Sequence, residues 1–173
     1  IDASCLICLL HLNSSLPKPD FLQALALRYR AVYIPQYVLE EVRRKGRIRR
    51  TLNELIHRHP ILEICNVTDE YGAQLLYDRH RNPNAKIQRG EAEVIMQARE
   101  RRITEVLIDD KKGRKMAVKH TLVTVGTERL LVDFKRLGIV DEVKPLIKML
   151  RRVKKLRLKD SRVKEILDEV GEA

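Results

Sequence analysis

The residues of this chain best placed to do chemistry are acids. Asp2 ends the first candidate β-strand, Asp109 and Asp110 follow the apolar run Val106-Leu107-Ile108, and Glu91 follows Gly90 at the start of a candidate helix. In an open parallel sheet, functional groups collect beyond the carboxyl ends of the strands, so these four belong on one edge. The carboxylate of Glu91 gains there from the positive end of its helix. A fifth acid, Glu41, lies between one and two turns into a helix begun at Pro35, beside the stripe formed by Val38 and Val42. The choice between it and its neighbour Glu40 stays open at this level.

Carboxylates a few ångströms apart repel and raise one another's pKa, so drawing them together in an otherwise basic protein needs a cause. A divalent cation supplies one. Clusters of acidic oxygens suit Mg²⁺ or Mn²⁺, which bind through few carboxylates plus waters and phosphate oxygens. Such an ion activates water and stabilises the leaving oxygen of a phosphodiester. Any one of these acids alone reads more simply as a helix cap or a surface ion pair; convergence makes them a site. The reading requires Asp2 and Glu91 to stand within about 10 Å, a Debye length at ordinary salt, of Asp109 and Asp110.

The charge balance points to a polyanionic partner. The 173 residues carry 35 Lys and Arg against 24 Asp and Glu, a net +11, and a field of that sign concentrates polyanions and speeds encounter with them. Much of the excess lies in Arg43 to Arg50, Arg99 to Arg102, Lys111 to Lys115 and Arg151 to Lys159. Lys111, Lys112 and Arg114 follow Asp110 closely enough to contact substrate phosphates. With aromatic residues at 4% and no Trp, base-stacking platforms are scarce and phosphate contact is favoured over base reading.

Other chemistries find little support. Cys5 and Cys8 form a C-x-x-C, but Leu6 and Ile7 lie between them and no second pair follows, so they are expected in the core. His57 and His59 lack an H-E-x-x-H context and read as a helix end. No Walker loop, G-x-S-x-G or dinucleotide fingerprint occurs. Three cysteines make no disulfide framework, which points to a reducing, cytoplasmic setting. No apolar run approaches the roughly 20 residues of a membrane span. The chain opens on Ile1, directly in apolar sequence, so a few residues of the first strand are expected to precede it.

The elements that must position the acids alternate in type. Candidate strands are the start through Asp2, Ala31 to Ile34, Leu62 to Val67, Glu105 to Ile108 and Thr121 to Val125. Candidate helices run from Phe21 to Arg30, Gln36 to Lys45, Glu70 to His80 with Thr68-Asp69 as its N-cap, Glu91 to Arg101, Asp110 to Lys119 and Thr127 to Leu137, the last closed by Gly138. Asn82-Pro83-Asn84 reads as a loop. This alternation predicts an α/β protein with a mostly parallel central sheet. Two further helices, Asp141 to Arg152 and Asp160 to Val170, follow the sheet. The boundaries expected are a domain over 1–152 and a helical C-terminal extension over 153–173, packed on the domain or on a dimer partner.

The strings carrying these residues resemble a known family. IDASCLICLL resembles the opening of PIN domains, where an Asp closes the first strand and a small polar residue follows. YIPQYVLEEV resembles their second-helix motif, matching Glu41. RGEAEVIMQA resembles the third acidic motif, matching Glu91, and VLIDDKKGRKMA followed by VGTERLL resembles the fourth strand and its sequel. SRVKEILDEVGE is similar to the end of a prokaryotic branch related to VapC-type toxins. The match covers almost the whole chain, with the motifs in order over about 110 residues. The resemblance implies a three-layer α/β/α fold, a pocket of three or four acids binding Mg²⁺ or Mn²⁺, and metal-dependent cleavage of RNA, with Asp2, Glu41, Glu91 and Asp109 as the metal-site acids and Asp110 as alternate or neighbour. Ile108 stands where many toxin-like members carry a polar residue, which leaves the choice between Asp109 and Asp110 open. It further implies a homodimer and a small antitoxin partner. A PIN fold that binds RNA or protein without cutting is the alternative.

Overall fold

The structure is a computed structural model that describes residues 1–45, 51–78 and 87–173. The Asn82-Pro83-Asn84 loop, the end of the expected helix at His80 and residues 46–50 of the basic run lie outside the described residues. The chain folds as an α/β protein with parallel strand pairs. Strand β1 (Val32–Pro35) pairs in parallel with β2 (Leu62–Cys65), and β3 (Glu105–Leu107) with β4 (Val123–Val125). Residues 1–2 lie between the two pairs: Ile1 N is 2.9 Å from the carbonyl oxygen of Tyr33, and the N–H of Asp2 donates to that of Leu107 at 2.8 Å. The expected first strand is therefore reduced to an extended stub with one bond to each side, because helix α1 (Ala3–Ser15) begins at once.

Helix α1 is only weakly marked in the sequence, because its partly exposed face, Ser4, Ile7 and His11, includes an apolar residue. Cys5, Leu6, Cys8, Leu9 and Leu12 are all fully buried, as a helix apolar nearly all round must be. Both cysteines of the C-x-x-C are thus core residues, as expected. The stretch after Pro19 forms only a short helix, α2 (Phe21–Ala24), and a 3-10 turn over Leu25–Leu27. Helix α3 (Gln36–Lys45) occupies the expected range, α4 (Thr51–Arg58) ends beside His57 and His59, and α5 (Glu70–Asp78) is capped by Asp69, whose Oδ1 accepts the N–H of Gly72 at 2.7 Å.

Helix α6 (Arg89–Glu100) is buried from Gly90 to Ala98. Each of the last two strand segments then feeds a helix: α7 (Lys111–Lys119) follows β3 and α8 (Thr127–Arg136) follows β4. Gly138, at φ +69°, supplies the left-handed residue just past α8. Helices α9 (Lys144–Arg152) and α10 (Asp160–Glu169) close the chain, and Leu146, Ile147, Leu150 and Ile166 join the core. Near the C-terminus, Glu172 accepts the N–H groups of Val143 and Lys144 and pairs with Lys135, each at 2.7 Å, while Glu169 pairs with Arg129 and Arg136. No helix among the described residues is long and apolar enough to cross a membrane.

Candidate active site

Asp2 is 2% exposed and sits where the extended stub turns into α1. Its Oδ1 accepts the N–H of Cys5 at 2.8 Å, an N-cap bond that satisfies one of the helix's orphan donors. Its Oδ2 takes the N–H of Asp109 at 3.3 Å. These two acids, 107 positions apart, meet because residue 2 hydrogen-bonds along β3, whose end delivers Asp109. Burial lifts the Asp2 carboxyl to about 7; the neighbouring Asp109 charge adds to the lift and the two N–H bonds oppose it.

Asp109 is held from the other side by Thr127, the first residue of α8. Thr127 N–H donates to Oδ1 and Thr127 Oγ1–H to Oδ2, both at 2.7 Å. Burial raises the Asp109 carboxyl above the usual range, and the Thr127 bonds restrain the rise. Its neighbour Asp110 turns the other way and caps α7, its Oδ1 accepting the N–H groups of Lys112 at 2.7 Å and Gly113 at 3.2 Å.

Glu91, 4% exposed, lies in the first turn of α6 and reaches back to accept the N–H of Gln88 at 2.8 Å, the return half of a capping box. Burial pushes its carboxyl up to about 8; the Gln88 N–H opposes, and the charges of Asp110, Asp2 and Glu41 push the same way as burial. Two glycines make room for this crowding. A methyl group on Gly113 would stand 2.9 Å from Glu91 Cδ, and one on Gly90 would stand 2.8 Å from Glu41 Oε2. The Glu91 carboxyl therefore rests on the first turn of α7, beside the residue that donates to Asp110, and Glu41 rests on the first turn of α6. Glu41 is 9% exposed, whereas Glu40 is exposed to solvent. Asp2 thus touches Asp109 directly, and Glu91 and Asp110 both lie against Gly113.

The cluster is one of buried oxygen donors with too little positive charge among them, which is the donor chemistry of a hard divalent ion. Among the described residues, however, no three His, Cys, Asp or Glu side chains stand together as a ready-made metal site. Most of the carboxyl oxygens are spent on backbone N–H groups. The residues match such an ion in donor type and burial, and not in a ready-made arrangement of ligands.

Of the expected phosphate contacts, Lys111 and Lys112 are exposed on the first turn of α7. Arg114 is engaged inside the protein: it donates to Glu128 Oε1 at 2.8 Å and to the carbonyl oxygen of Asp109 at 3.0 Å. Glu128, 4% exposed, has its second oxygen, Oε2, buried without a hydrogen-bond partner. Thr127 and Glu128 are the site's neighbours that the sequence reading missed. Their signal was present, because Gly126-Thr127-Glu128 follows β4 as Asp109 follows β3, and the same strand-end rule applies to both.

A family model described as a PIN domain matches residues 1–172. No curated protein and no solved structure matches the chain.

Proposed function

Because this chain belongs to the PIN-domain family, whose members are in general metal-dependent nucleases, we propose that it is a Mg²⁺- or Mn²⁺-dependent endoribonuclease that hydrolyses RNA phosphodiester bonds at the acid cluster. The observation that carries this reading is the contact of the buried Asp2 carboxylate with the backbone of Asp109, from opposite ends of the sequence, at a point where charge is unbalanced.

Asp2, Glu91 and Asp109 are the residues that would hold the ion, with Glu41 and Asp110 beside them. When bound, the ion supplies an activated water and stabilises the leaving oxygen. The chain's own part is to hold the acids still. Thr127 fixes both oxygens of Asp109, the α1 N-terminus and the Asp109 N–H fix Asp2, and Gln88 fixes Glu91. Arg114 ties the turn after β3 to the turn after β4 through Glu128, while Lys111 and Lys112 face solvent where a phosphate backbone arrives. By the resemblance of residues 161–172 to a toxin-related branch, the reading extends to the toxin of a toxin–antitoxin pair silenced by a small antitoxin protein; the pairing common in the family extends it to a homodimer, and the lack of a disulfide framework to the cytoplasm.

A second reading, a PIN fold that binds RNA without cutting it, is favoured by one observation: the lack of a ready-made triad of ligands among the described residues. Cleavage of labelled RNA with Mn²⁺, with Mg²⁺ and with EDTA separates the two. The nuclease reading expects metal-dependent cleavage that falls at least 100-fold in Asp2→Asn and Glu91→Gln. Equal activity of these variants and the parent chain ends the assignment of the acids; binding without cleavage establishes the second reading.

A further inference from the structure

Beside the acid cluster, a cavity of about 320 Å³ is lined by Tyr37, Glu41, Arg44, Gln88 and Arg89. It joins the end of α3 to the start of α6, and Glu41 belongs both to its wall and to the cluster. Its size falls at the lower end of the roughly 300–1,000 Å³ typical of ligand sites. Two guanidinium groups share a single ring there: the Arg44 carbon lies 5.3 Å and the Arg89 carbon 4.8 Å from the Tyr37 centroid. A guanidinium within about 6 Å of an aromatic centroid is attracted to the ring, so Tyr37 braces two like charges at the mouth of one cavity. Arg89 also pairs at 3.3 Å with Glu93, which is not among this cavity's lining residues.

A second cavity backs onto the same Tyr37 and Arg89, and it has the opposite character. Its lining includes Glu40, Glu70 and Glu93 against the one arginine. A polyanion is repelled there and drawn to the Arg44 side, where two planar, always-charged forks match phosphate geometry. We propose that Arg44 and Arg89, braced on Tyr37, hold the RNA backbone phosphates flanking the bond presented to the acid cluster. This inference rests on the nuclease reading for the identity of the polyanion and adds to it the path by which the strand arrives.

The test uses a labelled single-stranded RNA, with affinity measured in Ca²⁺ and cleavage in Mn²⁺, across a range of salt. For single strands the slope of log K against log salt is about −0.7 per phosphate neutralised, so Arg44→Ala with Arg89→Ala is expected to reduce the slope by about 1.4. KM should rise at least tenfold with kcat held within about twofold, and Mn²⁺ affinity measured by calorimetry without RNA should not fall, since neither arginine belongs to the acid cluster. Lys119→Ala, a cation at the far end of α7, serves as the comparison and should leave the slope alone. A parent chain that cuts RNA while the double variant keeps its KM and salt slope overturns the inference alone. A parent chain that binds RNA without cutting, with the slope still lost in the variant, upholds it and overturns the nuclease reading. No RNA binding by the parent chain overturns both.

Discussion

Removing the Asp2 charge should change how the protein's stability depends on pH, and the structure sets the size of the effect. Folding moves the Asp2 carboxyl from its ordinary 3.8 to about 7, chiefly by burial. A group whose pKa is raised on folding holds its proton more tightly in the native state. Its contribution is therefore whole below the unfolded pKa and is lost as pH climbs through the folded one. Between pH 5 and pH 9 the unfolded chain's Asp2 is already ionised, so the native state forfeits about two pH units of linkage, on the order of 3 kcal/mol. Because Asp2 and Asp109 repel, that loss belongs to the pair and appears as one broad change. In Asp2→Asn the side chain keeps its shape and the amide oxygen can still accept from Cys5 N–H; Nδ2 replaces the acceptor of the Asp109 N–H, which lowers stability by an amount that position 2 does not make pH-dependent, since nothing titrates there. Urea unfolding in EDTA across this range is the assay. With a slope near 2 kcal/mol per molar urea, the parent midpoint should fall about 1.5 M further than that of the variant. Parallel midpoint profiles for the two chains would refute the claim that an unbalanced, buried carboxylate sits there.

Two further substitutions probe the cluster. Thr127→Val preserves shape and deletes the 2.7 Å hydroxyl bond to Asp109; the expected cost is about 1–3 kcal/mol for a charged acceptor losing a donor, with the Asp109 pKa rising further, read by unfolding and by carboxyl titration in NMR. Glu41→Gln should reduce Mn²⁺-dependent RNA cleavage by at least tenfold while Glu40→Gln stays within twofold, since only Glu41 is buried beside Gly90; equal effects in an RNA cleavage assay would remove Glu41 from the site.

What can be read from the sequence follows from which interactions are local. Helices α3, α6, α7 and α8 begin at Pro35, Gly90, Asp110 and Gly126-Thr127, each a start signal confined to a few residues, and the structure begins them there or within two residues. Strands β2, β3 and β4 are shorter than their apolar runs and β1 is shifted one residue toward the C-terminus, because a ladder ends where its partner ends, and the partner lies about 20 to 30 positions away. Helix α1 escapes sequence reading for a physical reason. A helix apolar over most of its circumference shows little period, and the partly exposed face of Ala3–Ser15 includes the apolar Ile7, so a 3.6-residue pattern is faint there. The acids themselves are legible through one rule, that strand ends face a common crevice. Their partners are not. Nothing in the string K-K-G-R says that Arg114 turns inward to Glu128, and only the contact across 14 positions shows it.

The distribution of charge is the step that joins these observations. The chain carries a surplus of 11 positive charges, yet its buried acids lie together, so on the nuclease reading a strand of RNA attracted from a distance meets repulsion over the last few ångströms from whichever of these acids are ionised. Screening does not remove this, since the Debye length of about 8–10 Å at physiological salt exceeds the spacing within the cluster, and buried charges are screened least. Under the proposed function and the proposed arginine contacts, the conflict is resolved in two places. At the rim, Arg44 and Arg89 stand beside Glu41 on a shared cavity wall, so attraction persists up to the edge of the acids. At the centre, only a cation among the carboxylates reverses the sign of the field. The protons that Asp2 and Glu91 hold near neutral pH are what a divalent ion must displace, and an RNA phosphate favours the same exchange. On the nuclease reading, metal and substrate are expected to assist each other's binding, and that coupling would follow from the placement of Asp2, Glu91 and Asp109 whatever the sequence of the RNA.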